Sequence, residues 1–390
     1  MRGMIRPRLA VLSRNLPPLT GGMERLSWQV IKALATDFDV HVIGPRDCVA
    51  LLPTGVQGHA CLRAAALPYL CETTVVSVWR ALSKVRPDLV LATSGLTAPV
   101  ARMYAWLCAR PYLTMVHGLD LVADNTLYQH LFVPSLRGAI RVIANSDNTA
   151  RLAQRCGVAA SALRIIHPGV EWPAPAADGS AFRQRYDLGT RPVMLMVGRQ
   201  TARKGLVEFL EQGLPAIVQA VPDALLVVVG GEAQHAIRRE DSIGPRLESA
   251  LAARGLRSAV RVLGTLDDTQ LAQAYVAADV HVFPLIPVRG DVEGFGMVAV
   301  EAAAHGLPTV AFNEGGVRDA IIEGSTGQVL TANDYPAFVA AVLQEFACRD
   351  VTARRAACRA AAAAFAWPHH DAAWRQLTTE LLLERAPQRA

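Results

Sequence analysis

The sequence predicts an α/β fold made of two doubly wound domains, and three observations support this prediction. A chain of 390 residues is longer than one hydrophobic core usually organises. Short continuous runs of Val, Ile and Leu alternate with longer helical patterns along the chain, as is typical of parallel sheets covered on both faces. The alternation is interrupted near its middle by GVEWPAPAADGS (169–180), whose Pro, Ala and Gly residues fit no regular period.

The strand candidates are short apolar runs, six before the interruption and five after it. The first six lie at 8–13, 39–44, 88–93, 112–117, 140–146 and 163–169. The other five lie at 192–199, 224–231, 259–264, 279–285 and 308–313. After Leu330 the pattern is helical throughout. We therefore expect a first domain over 1–170, a linker over 171–190, a second domain over 191–365, and a terminal helix over 366–390 that folds back onto the first domain.

The composition argues against several classes of protein. The uncharged apolar runs fall short of the roughly 18 residues that a membrane span needs, and the apolar part of MRGMIRPRLAVLS is too short for a signal peptide. The seven cysteines are an odd number and form no CxxC motif or Cys/His cluster, so we predict neither a disulfide framework nor a zinc site. These features predict a cytoplasmic protein.

The net charge of +5 conceals an unequal distribution along the chain. Residues 1–185 hold 20 Lys or Arg and 11 Asp or Glu, a balance of +9, which leaves 19 against 23, or −4, in the remainder. A basic first half could face nucleic acid, a membrane surface or an anionic substrate, or it could reflect ordinary surface composition.

Ligands of doubly wound sheets bind beyond the carboxyl ends of the strands, and the loop after the first strand of each half is unusual. In the first half, Gly21-Gly22 opens an amphipathic helix, whose bare amides could bind a phosphate, although a glycine pair could also be a simple turn. In the second half, GRQTARKG places Arg199, Arg203 and Lys204 between two glycines. Because the chain has only three lysines, this loop predicts a pyrophosphate ligand; the alternative is a solvated basic turn.

The stretch DVEGFGMVAVE places Glu293 and Glu301 on either side of Gly294-Phe295-Gly296. The glycines allow a turn close to a ligand, and the apolar run after them predicts a helix that starts near Gly296. At 1.5 Å per residue the two carboxylates would lie roughly 8–12 Å apart, which suits acceptors for the hydroxyls of a sugar and of its nucleotide ribose. The alternatives are a charge favoured by the helix dipole for Glu293 and an arginine partner for Glu301.

Several motifs together resemble one known family. The early Gly-Gly, IANSDNTARL, IHPGV, VGRQTARKG and EGFGMVAVEAAAHGLPTVAFNEGG occur in an order that resembles the retaining glycosyltransferases of family 4, the group 1 glycosyltransferases. The resemblance covers nearly the whole chain. It implies the GT-B fold, in which two Rossmann-like domains face each other across a cleft, the first binding the acceptor and the second binding the nucleoside-diphosphate sugar.

The resemblance also implies roles for individual residues. Arg199 and Lys204 would stabilise the diphosphate leaving group. Glu293 would accept hydrogen bonds from the donor sugar, and Glu301 would hold the ribose. His117, in VHGLD, matches the family's histidine beside the reacting sugar. Further donor contacts would come from Gly21, Gly22, Gly198, Gly231, Gly264, Gly294, Phe295 and Gly296.

Other polar residues near these motifs have alternatives. Asp120 would place the acceptor or cap a helix, and Ser146 is expected to be a helix N-cap and not a catalyst. Asp319 stands where relatives commonly have Glu. No acid cluster resembles a metal-binding DxD motif, and LDD (266–268) is expected to cap a helix.

The family implies a reaction that retains the anomeric configuration, with the leaving phosphate helping to remove the proton of the acceptor. It would need neither a cofactor nor a metal, because fixed cations and amides stabilise the departing UDP or GDP. Two other functions fit the same architecture. One is a nonhydrolysing nucleotide-sugar epimerase, and the other is a nucleotide-sugar-binding protein without turnover.

The acceptor is expected to meet the basic first half. The segments TTVVSVWRALSKVRP (73–87) and ARMYAWLCARPY (101–112) mix basic with aromatic and aliphatic residues. Such a mixture is typical of helices that meet an anionic membrane, and also of ordinary sheet-covering helices with snorkelling arginines. We expect a lipid-linked or glycan acceptor in lipopolysaccharide, polysaccharide or glycolipid assembly, peripheral contact with the cytoplasmic face of the inner membrane, and no nucleic acid partner.

Overall fold

A computed structural model of the chain describes residues 6–19, 21–61, 79–173, 178–231, 244–253 and 255–383. The described residues form two compact units. Unit 1 contains the residues up to Gly169 and those from Trp367 onward, and unit 2 runs from Val170 to Ala366.

Unit 1 is built on a parallel sheet of seven strands in the order β3-β2-β1-β4-β5-β6-β7. The strands are β1 (Arg8–Leu12), β2 (Asp39–Pro45), β3 (Gln57–Cys61), β4 (Leu89–Ala92), β5 (Tyr112–Val116), β6 (Arg141–Ala144) and β7 (Leu163–Ile165). The helices are α1 (Gly22–Leu34), α2 (Arg46–Val49), α3 (Trp79–Val85), α4 (Ala98–Cys108), α5 (Leu119–Val122), α6 (Thr126–Leu131), α7 (Asp147–Arg155) and, from the end of the chain, α16 (Trp367–Leu383).

Both faces of this sheet are covered, because successive strand side chains point to opposite sides. Leu9 and Val11 of β1 pack in one core with α1 and α16, whereas Ala10 and Leu12 pack in a second core with α4 and α7. All four are at most 1% exposed. This double burial explains why the strands read as continuous apolar runs in the sequence.

Unit 2 repeats the same plan with six parallel strands in the order β10-β9-β8-β11-β12-β13. The strands are β8 (Val193–Val197), β9 (Leu225–Val229), β10 (Val260–Gly264), β11 (Val280–Phe283), β12 (Thr309–Phe312) and β13 (Gly327–Leu330). The helices are α8 (Gly179–Arg185), α9 (Leu206–Gln212), α10 (Leu214–Ala220), α11 (Gly244–Ala253), α12 (Asp268–Ala277), α13 (Met297–Ala304), α14 (Tyr335–Phe346) and α15 (Val351–Ala362).

In each unit the strand order reverses beside the first strand, between β1 and β4 and between β8 and β11. Loops diverge at such a switch point and leave room for a ligand at the carboxyl ends of the strands. The sequence predicted two doubly wound domains, and the structure confirms this fold class. The loops at these two points are therefore the first places to look for chemistry.

The expected return of the terminal helix to the first domain is also present, since α16 packs within unit 1. Trp374 is 1% exposed among residues of β1, β2 and α1. Arg375 forms a bidentate ion pair with Asp37, at 2.7 and 3.2 Å, and Gln29 donates to Asp371 at 2.8 Å. None of the described helices is both long and apolar enough to cross a membrane.

The structure differs from the predicted elements in three places. Strands β3 and β13 were not predicted. The expected linker over 171–190 instead contains α8, which packs on α12 and buries Phe182 to 2% exposure. Residues 73–78 of the first segment predicted to meet a membrane lie outside the described residues, and its remainder includes α3.

Candidate active site

The basic loop of unit 2 follows β8 and turns sharply before α9. Residues Ala202–Lys204 form a short 3-10 turn, which ends at Gly205 with φ of 69°. A Cβ at this glycine would lie 1.9 Å from the carbonyl oxygen of Pro284, in the loop after β11. The two loops at the switch point of unit 2 thus pack directly against each other, and only glycine permits this approach.

Four charged side chains from these two loops form one cluster, here called the ion cluster: Arg203, Lys204, Asp291 and Glu293. The Lys204 Nζ donates to Glu293 Oε2 at 2.7 Å, and Arg203 donates to the same oxygen. Arg203 Nε also binds Asp291 Oδ1 at 3.1 Å. The side chains of Lys204 and Glu293 are only 8% and 14% exposed, so the pair is largely removed from solvent.

The ion cluster shifts the titration of its members. Burial by itself would raise the pKa of Glu293, but the charges of Arg203 and Lys204 outweigh it and lower the pKa to about 2. Burial lowers the pKa of Lys204 to about 8, against the attraction of Glu293. The ammonium group also lies 4.4 Å from the ring centre of Phe283 at the end of β11. Glu293 is therefore a firmly ionised carboxylate near neutral pH.

We expect the stability of unit 2 to fall in acid because of Glu293. Its folded pKa of about 2 lies below the unfolded value of 4.5, so its contribution is present above pH 4.5 and is lost as the pH falls toward 2. The difference corresponds to about 3 kcal/mol. Urea unfolding measured on both sides of pH 4.5 should show this loss in the wild type and not in Glu293→Gln. Equal pH slopes in the two proteins would contradict the assignment.

The second glutamate lies in the helix that follows the ion cluster. Gly296, with φ of 98°, precedes α13, and Glu301 lies in its second turn, as predicted. Tyr275 of α12 donates its hydroxyl to Glu301 Oε2 at 3.0 Å. The Tyr275 ring stacks on His305 at 5.1 Å, and His305 Nδ1 donates to the Glu301 carbonyl oxygen at 2.8 Å. These contacts fix the direction of the Glu301 carboxylate.

Glycines at the ends of three neighbouring strands form a smooth backbone edge beside the ion cluster. Gly230 donates its amide to the Gly264 carbonyl at 2.7 Å, and Gln200 donates its amide to the Gly231 carbonyl at 3.0 Å. An ideal Cβ at Gly198 would lie 3.2 Å from Lys204 Cε. The structure therefore brings the predicted Gly198, Gly231 and Gly264 to one edge of the sheet.

In unit 1 the loops after β4 and β5 are tied together around His117. This side chain is 6% exposed, and its Nε2 donates to the Thr93 carbonyl at 2.7 Å. Asp120 accepts from the His117 amide at 2.8 Å and from the Gly95 amide at 2.9 Å. Asp120 was expected to place the acceptor or to cap a helix. Each of its carboxylate oxygens accepts from the amide of a different loop, and Asp120 is not the N-cap of α5. Its role toward the acceptor stays a prediction.

The early glycine loop carries an acid that the sequence analysis did not consider. Helix α1 begins at Gly22, and Glu24 in its first turn is 9% exposed. Asn15 donates to Glu24 Oε1 at 2.7 Å, and a Cβ at Gly21 would meet the other carboxylate oxygen at 2.4 Å. A negative charge therefore already lies beside the amides predicted to meet a phosphate, which weakens that prediction for Gly21 and Gly22.

Comparison with known proteins agrees with this arrangement. The model described as glycosyl transferases group 1 matches residues 191–347, and the model described as glycosyltransferase family 4 matches residues 20–171. The D-inositol 3-phosphate glycosyltransferase of Streptomyces scabiei is 31% identical over 420 residues, covering 95% of this chain and 91% of the relative. The chain belongs to the family 4, group 1 glycosyltransferases.

Further similarities place this glycosyltransferase among enzymes of known fold. The GDP-mannose-dependent alpha-(1-6)-phosphatidylinositol monomannoside mannosyltransferase of Mycolicibacterium smegmatis is 29% identical over 358 residues, covering 86% of this chain and 88% of the relative. The crystal structure of Anabaena HepE with UDP and glucose matches with a TM-score of 0.78 at 20% identity, over 97% of this chain and 100% of that one. Sucrose-phosphate synthase of Thermosynechococcus elongatus matches with a TM-score of 0.80 at 22% identity, over the same shares. These structures show the GT-B fold.

Within the glycosyltransferase, the predicted catalytic residues occupy different settings. Lys204 and Glu293 are bonded to each other, Phe295 is buried to 2% exposure, and Arg199 is exposed in the same loop as Lys204. Ser146 is a helix N-cap as predicted, accepting from the Thr149 amide at 3.1 Å. Asp267 likewise caps α12. The catalytic and ligand-binding roles of all the predicted site residues, including Lys204 and Glu293, stay predictions.

The pairing of Arg203 with the acids and the presence of Asp291 and Tyr275 at the glycosyltransferase site were not predicted from the sequence, which placed Arg203 only in the pyrophosphate loop. Arg203 adjoins Lys204 and Asp291 precedes Glu293 by two residues, so the charge pattern contained a signal for both. Tyr275 lies 26 residues before Glu301, and no local pattern connects them. Groups of three or more His, Cys, Asp or Glu side chains placed to hold a metal ion do not occur among the described residues.

Proposed function

We propose that the protein transfers a sugar, with retention of anomeric configuration, from a nucleoside-diphosphate sugar to a lipid-linked or glycan acceptor of cell-envelope glycolipid or polysaccharide assembly. The ion cluster at the switch point of unit 2, bordered by a glycine edge, is the main observation in support. The names of the two relatives, one for phosphatidylinositol monomannoside and one for D-inositol 3-phosphate, favour an acceptor that carries an inositol ring.

In this proposal unit 2 binds the donor. Arg199 and Lys204 stabilise the negative charge that develops on the diphosphate. Lys204 is held in place by Glu293, so it needs little reorganisation during the reaction. Because Arg203 and Lys204 both bind Oε2 of Glu293, we assign Oε1 to the hydroxyls of the donor sugar. Glu301, oriented by Tyr275, accepts from the ribose.

The proposed transfer proceeds without a covalent enzyme intermediate. The bond between the anomeric carbon and the phosphate oxygen breaks, and the acceptor oxygen bonds to the same carbon on the face that the diphosphate leaves. The proton of the acceptor hydroxyl passes to the departing phosphate. Unit 1, with His117 at the end of β5, provides the acceptor side in this scheme.

The proposed function is tested by product analysis. The protein is incubated with GDP-mannose or UDP-glucose and with D-inositol 3-phosphate or phosphatidylinositol vesicles, with either EDTA or Mg²⁺ present. Transfer product, equal with and without metal, is expected. Only an epimerised nucleotide sugar would identify an epimerase, and tight nucleotide-sugar binding with no product would identify a binding protein; either outcome rejects the proposal.

We also propose that unit 1 contacts an anionic membrane surface through α4. Trp106 and Leu107 at the end of this helix are 81% and 52% exposed, and Arg102 and Arg110 beside them are exposed. An exposed aromatic group flanked by arginines suits the boundary between lipid headgroups and acyl chains. The lipid-linked acceptor would then be reached at the cytoplasmic face of the inner membrane.

Removing Trp106 should weaken this membrane contact. Trp106→Ala is expected to lower the affinity for vesicles containing phosphatidylglycerol at least about tenfold, because burying such a side chain contributes about 1.5–3 kcal/mol. Cosedimentation with vesicles of phosphatidylcholine, with and without phosphatidylglycerol, measures it. Val262→Ala, at a 44% exposed apolar position of unit 2, is the matched control and should leave binding unchanged. Equal binding of all three proteins would contradict the membrane contact.

A further inference from the structure

Three buried polar atoms in unit 1 lack hydrogen-bond partners at neighbouring places in the fold. They are Ser94 Oγ, His117 Nδ1 and Asn145 Oδ1, and none has a partner among the described residues. The three side chains are only 7%, 6% and 9% exposed. Buried polar groups are nearly always paired, so a group of unpaired ones points to a missing partner.

The topology brings these residues to one edge. They follow β4, β5 and β6, which are adjacent in the sheet. Val116 pairs with Ala144 in the parallel register of β5 and β6, so the next residues, His117 and Asn145, lie side by side. Both neighbours of Ser94 are tied to the His117 loop, because Thr93 accepts from His117 Nε2 and Gly95 donates to Asp120.

The chemistry of the three atoms defines what they can bind. A carbonyl oxygen can only accept, so His117 Nε2 carries the proton in its bond to Thr93 and the neutral ring leaves Nδ1 as an acceptor. Asn145 Oδ1 is also an acceptor, and Ser94 Oγ can both donate and accept. A partner must therefore donate hydrogen bonds to His117 Nδ1 and Asn145 Oδ1, and it can either donate to Ser94 Oγ or accept from it. The adjacent hydroxyl groups of a polyol meet these requirements, because each hydroxyl can both donate and accept.

We infer that Ser94, His117 and Asn145 form a hydroxyl subsite that binds a polyol ring. This inference rests on the proposed function, because the polyol is either the acceptor ring or the donor sugar of the transfer. It adds Ser94 and Asn145 to the residues that select the substrate. The two units differ in the charge of their proposed binding groups. Unit 2 has cations that would bind phosphates, whereas the hydroxyl subsite of unit 1 has neutral acceptors that would bind hydroxyls.

The melting temperature of the ligand-free protein distinguishes a binding role of Ser94 and Asn145 from a structural role, because residues that stabilise the fold would lower it when replaced. Ser94→Ala and Asn145→Leu remove buried polar atoms that have no partner, so the melting temperature should stay equal or rise. The same variants should raise the KM of the polyol substrate about tenfold, because its hydroxyls lose their partners. Asn145→Asp keeps an acceptor oxygen and should have a KM closer to that of the wild type than Asn145→Leu.

Ser27→Ala is the matched control. Ser27 Oγ is also buried, in a residue that is 0% exposed, and has no partner among the described residues, but Ser27 lies in α1 and not at the end of a strand. This variant should share the effect on melting temperature and leave every KM unchanged. Expression of all four variants allows the inference to be tested even if one of them fails to fold.

The experiment measures KM for the acceptor and for the donor, together with binding of myo-inositol by saturation-transfer NMR, which does not depend on turnover. A rise in the acceptor KM assigns the hydroxyl subsite to the acceptor, and a rise in the donor KM assigns it to the donor sugar; both support the inference. If no transfer occurs at all, the proposed function fails, and the NMR comparison of wild type with Asn145→Leu still tests the subsite. Unchanged KM values and unchanged myo-inositol binding in Ser94→Ala and Asn145→Leu would overturn it.

Discussion

Lys204→Met is expected to reduce the turnover of sugar transfer by about 10²–10³ while leaving the protein folded. The diphosphate would lose a cation that is already desolvated and oriented. Stability should fall by less than about 2 kcal/mol, because Glu293 keeps its bond to Arg203 and methionine fills a volume similar to that of lysine. Steady-state kinetics and urea unfolding of the same preparation measure both quantities.

The other two lysines provide the controls for this substitution. Lys32 and Lys84 are exposed on helices of unit 1, so Lys32→Met and Lys84→Met remove the same charge from the protein away from the ion cluster. Both should transfer at the wild-type rate. Normal turnover in Lys204→Met would remove Lys204 from the proposed diphosphate site, whatever the stability of the variant.

Glu293→Gln is expected to damage both turnover and folding. Arg203 keeps Asp291 as a partner, but Lys204 would remain buried without its carboxylate, and breaking a buried ion pair from one side costs about 3–5 kcal/mol. Urea unfolding at neutral pH should therefore show a much larger loss for Glu293→Gln than for Lys204→Met. Turnover should also fall, because the glutamine no longer presents a charged acceptor to the sugar.

A double variant separates the two contributions of Glu293. Adding Lys204→Met to Glu293→Gln removes the unpaired cation, so part of the lost stability should return, whereas turnover should stay low. Glu248→Gln breaks an exposed pair with Arg257 and should change stability by no more than about 0.5 kcal/mol. Additive losses in the double variant would contradict a direct coupling between Lys204 and Glu293.

The strands that could be predicted from the sequence are those with an apolar signal. All eleven predicted runs form strands. Nine of them lie inside the two sheets, where burial on both faces requires continuous apolar residues. The other two, β7 and β10, are partly exposed edge strands that still have an apolar run. The two missed strands, β3 and β13, are both edge strands. In β3, three of the five residues are exposed, and in β13 three of the four are half-buried. An edge strand is held by backbone hydrogen bonds to one neighbour only. These bonds place little constraint on the side chains, so a strand such as β3 or β13 need not have an apolar sequence.

The charged residues of the candidate site could be predicted from the sequence, but the ion pairs and hydrogen bonds between them could not. The loops that carry Lys204 and Glu293 were recognised from their glycines and their position after strands. Their mutual bond depends on the β8–β11 neighbourhood, which arises from strand order and not from any local motif. The contact of Tyr275 with Glu301 and the unpaired atoms at Ser94 and Asn145 depend in the same way on packing.

Because α16 belongs to unit 1 but follows unit 2 in the sequence, unit 1 can be completed only after unit 2 has been synthesised. Unit 2 lies entirely between two parts of unit 1, so during synthesis it emerges from the ribosome whole while unit 1 still lacks the helix that covers β1 and β2. Trp374 and Leu381, which are 1% and 3% exposed in this core, are synthesised only after all of unit 2. Unit 1 is thus completed after unit 2, and a chain that stopped at Ala366 would contain all of unit 2 but lack the helix that covers the sheet of unit 1.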